Sequence, residues 1–270
     1  RKQKKHSRWP PDSIQPYTRF DYFSMTLEFK LQAWPIVLNT LKMAWITKKA
    51  FFNVISLPTL ILLVYCALIF KYANNIGFPL MLLFMGILGI GFSWLAIMCH
   101  RLILVSDFKV SNNLDFRMGV RAAKFLAMSF QVFIVASLVE TIVFMSMLFM
   151  FNGHLPSIGL EDIRFWIKLF SLVLGGYVTA RLSLVLPATA MDKKVSLKWS
   201  WVITRGNGFN MFAIVCLFPL FFNFIITMLW RENATDIENA VLSIATFFVT
   251  AIEVIALSLT YKEFESFYSQ

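Results

Sequence analysis

Six apolar runs, at about residues 51–70, 76–99, 125–151, 165–190, 209–230 and 240–261, dominate the chain. Each is near or above the roughly 20 residues that an α-helix needs to cross a bilayer. In lipid every main-chain polar group must be satisfied within its own segment, so runs of this kind form helices. The chain reads as an all-α integral membrane protein with six transmembrane helices. Its composition agrees: 58% of the 270 residues are hydrophobic and 15% charged, and the charges crowd between the apolar runs instead of alternating with apolar residues as around a soluble core. Pro58, Pro79 and Pro219 fall within or at the start of spans, where neighbouring helices absorb a kink.

The basic residues orient these spans. Twenty lysines and arginines precede the first span, follow the last, or lie at 101–124 and 193–205, against three, Lys71, Arg164 and Arg231, in the alternate loops. This is a positive-inside distribution that places both termini in the cytoplasm. Trp34, Trp45, Trp199 and Trp201 near the inner boundary, and Trp166 and Trp230 near the outer one, suit the aromatic belts of a membrane protein. The net charge of +10 is absorbed by this pattern. No exposed domain offers the continuous basic face that nucleic-acid binding requires.

The same features recur along the chain. Leu41-Lys42-Met43-Ala44-Trp45 and Leu197-Lys198-Trp199-Ser200-Trp201 each stand just before a span, and residues 114–121 occupy the corresponding place between them. Arg101-Leu102-Ile103-Leu104-Val105 is echoed at 181–185, and Val178-Thr179-Ala180 at 249–251. The expected unit is an amphipathic interfacial helix followed by a hairpin, used three times in tandem at about 36–107, 113–192 and 196–265. Residues 1–35 form a basic N-terminal extension with a possible interfacial segment, and 36–270 the six-helix membrane domain. Pro35 is expected to break or kink any helix there, so the first interfacial helix is placed at 36–49. Residues 25–31 are ambiguous between helix and strand. Residues 1–19, with no apolar core following at once, do not read as a signal peptide. The absence of an initial methionine leaves open what lies upstream of Arg1.

Few side chains offer chemistry. Cys66, Cys99 and Cys216 lie in or at the ends of apolar runs without pairing spacing, and His6, His100 and His154 are scattered, so no cofactor or metal centre is expected. Four charged residues fall inside the apolar runs, Lys168 near one end and Glu140, Arg181 and Glu253 deeper. Arg181 and Glu253 lie at similar depth, so an intramembrane ion pair is expected between them, with Glu140 as a competing partner and snorkelling to the headgroups as a third outcome. Arg101, Arg117, Arg121, Lys124, Lys193 and Lys194 are expected to contact anionic lipid headgroups or an acidic partner surface on the cytoplasmic face. Small residues at Gly175, Thr179 and Ser183, and at Gly86, Gly89, Ser93 and Ala96, mark faces for close helix packing.

The segment 181–188, Arg-Leu-Ser-Leu-Val-Leu-Pro-Ala, with the following basic loop and Trp201-Val202-Ile203-Thr204-Arg205-Gly206-Asn207, resembles bacterial six-helix inner-membrane proteins. These are the YciC-type proteins and the membrane domain fused to some glycerophosphoryl diester phosphodiesterases. The likeness covers about 36–262, centres on 178–210, and implies a bacterial inner (cytoplasmic) membrane location. No phosphodiesterase catalytic residues have counterparts here.

The function expected is that of a non-catalytic scaffold, assembly factor or accessory subunit of a larger membrane complex, with a membrane-protein partner. The alternative is a transporter or lipid-handling protein with Glu140 as its intramembrane ionisable group. A third reading, an enzyme using His100, Arg101 and Asp107, lacks an activated nucleophile with a positioned base.

Overall fold

The computed structural model describes residues 29–72, 77–105, 116–152, 160–229 and 236–268, and within these every regular element is helical. The elements are α1 (Ala33–Tyr72), α2 (Phe78–Leu104), α3 (Phe116–Asn152), α4 (Leu160–Leu182), α5 (Val185–Ala190), α6 (Leu197–Ile203), α7 (Gly208–Phe212), a π-helical turn (Ala213–Leu217), α8 (Phe218–Leu229) and α9 (Asp236–Tyr268). Four stretches are long and apolar enough to cross a membrane: Pro79–Leu104, Gly119–Met150, Ile163–Ala190 and Gly208–Leu229.

Two of the three expected interfacial helices do not stand apart. α1 and α3 run without a break from their amphipathic starts into the apolar segments, over 40 and 37 residues. Neither Thr47-Lys48-Lys49-Ala50-Phe51 nor Val120-Arg121-Ala122-Ala123-Lys124 contains a glycine or proline to interrupt the hydrogen-bond ladder. Pro35 sits in the first turn of α1, where its missing N–H is not needed, so it starts the helix and does not break it. The third of the expected interfacial helices is a separate helix. α6 begins at Ser196, whose hydroxyl accepts from the Trp199 amide at 3.2 Å, and it ends before Gly206, which takes φ 80°.

Prolines shape the fourth and fifth spans. The expected helix 165–190 is divided at Ser183 and Leu184, because in a continuous helix the ring of Pro187 would strike the Ser183 carbonyl. The chain instead makes a tighter turn, with the Leu186 amide on the Ser183 oxygen at 3.0 Å, and Pro187 enters the first turn of α5. Pro219 lies just after the π-helical turn. The wider turn displaces the Val215 carbonyl that the proline ring would otherwise meet.

Among the described residues, deep burial concentrates at the basic-loop ends of the helices. Ile97, Met98, Cys99 and Ile103 of α2 meet Phe125 of α3 and Ile255 of α9. Ala180, Leu184 and Ala188 meet Met211, Phe212, Ala256 and Phe264. The stretch Ile163–Ala190 is the inner member, half buried over its most apolar window, whereas the other three candidates are 11–18% buried and turn most of their surface outward. Gly175 allows α4 to approach α3: a methyl group there would stand 3.3 Å from Glu140 Cβ and 3.5 Å from the Ala136 carbonyl oxygen. The second expected small-residue face is used in part: Gly89 stands against Leu126, Ser93 is buried and Ala96 packs on the core, whereas Gly86 has nothing within 4 Å among the described residues.

Folding of the core starts earlier than residue 36. Phe29–Gln32 is non-helical, Leu31 is buried in the same cluster as Phe264, and Phe29 packs on the rings of Phe264 and Phe267. The remainder of the expected N-terminal extension, residues 1–28, lies outside the described residues.

Candidate functional site

The polar residues collect where α2, α3, α5, α6 and α9 end, beside the basic loop 191–196. α5 closes in a Schellman turn, with the Lys193 amide donating to the Ala188 oxygen and the Asp192 amide to the Thr189 oxygen, both at 3.0 Å. The turn needs a left-handed residue at its centre, normally glycine. Here it is Asp192, at φ 61°. An aspartate tolerates this conformation better than most L-residues, and unlike glycine it carries a carboxylate.

That carboxylate joins three helices. Arg121 of α3 grips it side-on, Nε to Oδ1 at 2.7 Å and Nη2 to Oδ2 at 2.5 Å. Arg101 of α2 approaches Oδ2 at 3.6 Å through Nη1, which also donates to the Ala190 carbonyl at 3.2 Å. The Arg121 bond, together with the charges of Arg121, Arg101 and Lys124, holds the Asp192 carboxyl below the usual carboxylate range. A depressed acid contributes stability above its unfolded pKa of roughly 3.9 and loses it as pH falls through the folded value. The contribution of Asp192 to stability is therefore expected to be full from about pH 8 to 5 and to decline below. Asp192→Asn, which keeps the left-handed turn but not the charge, should be less stable at neutral pH and should lose less on acidification. Parallel curves for the two proteins would exclude the clamp as a contributor.

Lys193 makes a second tie, donating to Glu265 Oε1 of α9 at 2.5 Å with its ammonium 5.1 Å from the Tyr261 ring centroid. His100 makes a third. Ser258 Oγ donates to the Val254 carbonyl at 2.7 Å, which commits its hydrogen, so it accepts from His100 Nδ1 at 2.7 Å. Both side chains are buried, and they lock α2 to α9.

Arg181 does not meet Glu253 or Glu140. Its guanidinium stacks on Trp201, 3.9 Å from the ring centroid, and donates from Nε to Thr204 Oγ1 at 3.2 Å and from Nη2 to the Trp201 carbonyl. It thus caps the C-terminal end of α6, where unsatisfied carbonyls favour a cation. Ser200 returns a hydrogen bond to the Arg181 carbonyl at 2.8 Å. The ion-pair expectation fails because the guanidinium is engaged by α6. Glu140 lies against Gly175, six residues before Arg181 and about 9 Å along the helix.

The other expected contact residues divide into two groups. Arg101, Arg121 and Lys193 are committed to carboxylates of the chain itself, whereas Lys124 and Lys194 are exposed. The side chain of Arg117 and the whole of Asp107 lie outside the described residues.

One polar joint has no forerunner in the sequence reading. Asn207, 2% exposed, takes the Leu31 amide on Oδ1 at 2.7 Å and donates from Nδ2 to the Phe29 carbonyl at 2.8 Å. Asn210 donates to the Leu31 carbonyl at 2.7 Å. Two side-chain amides thus satisfy the main chain of segment 29–31. Asn207 stands at the N-cap of α7 without capping it, because its side chain is engaged by that segment. The turn is close-packed: a methyl group on Gly208 would lie 2.2 Å from the Tyr177 hydroxyl.

Among the described residues no three His, Cys, Asp or Glu side chains are grouped to hold a metal ion. Among the described residues, a shallow groove beside Met145, Phe149 and Met150 is lined by α3. No family model, no curated protein and no solved structure matches this chain.

Proposed function

We propose that this is a six-span protein of a bacterial inner membrane, with both termini in the cytoplasm, that acts without catalysis as a scaffold, assembly factor or accessory subunit of a larger membrane complex. Beyond the four candidate spans, the apolar part of α1 at 51–70 and that of α9 at 240–261 supply the other two crossings. The bacterial location rests on the resemblance at 178–210.

The observation that carries this reading is how the polar residues are used. Arg181 caps α6, Asp192 joins α2 to α3, Lys193 and His100 hold α9, and Asn207 anchors the incoming chain. Each fixes one helix end against another. The product of such bonding is a rigid inner end, topped by the exposed Lys124 and Lys194, which suits a surface offered to anionic headgroups or an acidic partner. Transport through Glu140 has less support, because that residue packs against Gly175 at a tight helix joint.

In-membrane crosslinking followed by extraction in mild detergent is expected to recover a membrane protein in stoichiometric amount. Recovery of this chain free of any other protein would remove the scaffold reading. Proton-coupled uptake lost on Glu140→Gln would replace it with transport.

A further inference from the structure

α3 has two seams on nearly opposite faces. Ala122, Phe125, Val132 and Ala136 are buried against the bundle, while Ala127, Gln131, Ile134, Leu138, Thr141 and Met145 are all exposed. The exposed set is spaced 4, 3, 4, 3 and 4 residues apart, the a/d repeat of a coiled-coil seam. Only 11% of the most apolar window of this helix is buried, the least of the four candidate spans.

Gln131 is the one exposed carboxamide within those four spans among the described residues. It lies ten residues beyond Arg121, about 15 Å along the helix and so near the middle of a hydrocarbon core of about 30 Å. A glutamine side chain does not reach the headgroups from there. No hydrogen-bond partner lies within the chain's described residues, and an unsatisfied amide in hydrocarbon is costly.

We propose that α3 forms the interface of a homodimer, packed along this seam about a two-fold axis normal to the membrane, with Gln131 hydrogen-bonded to Gln131 of the second copy. The geometry selects that occupant. Two copies inserted the same way carry Gln131 at the same depth, and a carboxamide, being donor and acceptor at once, is complementary to itself. A single polar residue at an a position also fixes register and oligomer number. Ala127, one turn below, lets the helices approach closely.

The test uses the full chain reconstituted in liposomes, with Förster transfer measured between two labelled populations as protein is diluted into lipid. Saturable transfer from a dimer is expected, and Gln131→Leu should weaken association roughly 3- to 30-fold. Because leucine suits lipid, folding of that variant should be unchanged. Disulfide trapping gives the register: Leu138→Cys, on the seam, should crosslink above the level of the parent, and Phe133→Cys, also exposed but off it, should not. Absence of transfer, unchanged transfer in Gln131→Leu, or equal crosslinking at both positions would overturn the interface. The proposal holds whichever way the chain is inserted and whether or not a further partner binds, so its failure would leave the proposed function standing.

Discussion

Asn207→Ala is expected to be among the most destabilising single substitutions outside the apolar core. It removes two hydrogen bonds, at 2.7 and 2.8 Å, and leaves the Leu31 amide and Phe29 carbonyl without those partners beside a buried side chain. A buried main-chain group left unsatisfied costs about 1–3 kcal/mol, so the loss should be about 2–5 kcal/mol, read as a lowered thermal midpoint in mild detergent. The graded variant separates bonding from packing. Asn207→Asp keeps an acceptor for Leu31 but sets an oxygen against the Phe29 carbonyl, and it should fare little better than alanine. If Asn207→Ala unfolds with the parent, segment 29–32 is not held as described.

Arg181→Leu should have a comparable effect, about 2–4 kcal/mol, combining hydrogen bonds from a charged donor with a partly desolvated stack on an indole. Arg181→Lys should recover only part, because an ammonium lacks the planar fork that serves Thr204, the Trp201 carbonyl and the Trp201 ring together. Exchange of charge between Arg181 and Glu253 should give no rescue over Arg181→Glu alone. Recovery in that double variant would restore the ion pair that the geometry replaces.

These two residues show where sequence reasoning stops. The apolar runs and their helical form were legible, since lipid leaves the backbone little choice. The destination of Arg181 was not, because matching charges by depth treats spans as rods and overlooks a short loop helix whose carbonyls point back at the bundle. Asn207 carries a readable signal, an asparagine between two glycines at the start of a helix, but the signal says cap. Only the tertiary contact with residues 29–31 diverts it. Asp192 follows an alanine-rich helix end, where a left-handed residue is expected, and the two arginines that occupy it come from 71 and 91 residues away in sequence. The joining of interfacial and spanning segments in α1 and α3 was legible in the absence of glycine and proline, a local signal that the repeat pattern masked.

The proposed arrangement places the interlocked basic ends of the helices in the cytoplasm, with six crossings of the membrane. Single cysteines read this directly in intact cells, through labelling by a reagent that does not cross the membrane. A cysteine at Asn152 or Thr235 is expected to react, and one at Asn113 or Ser196 to react only after the membrane is opened. Labelling of Asn113 and Ser196 in intact cells, with Asn152 and Thr235 protected, would invert the orientation and contradict the account.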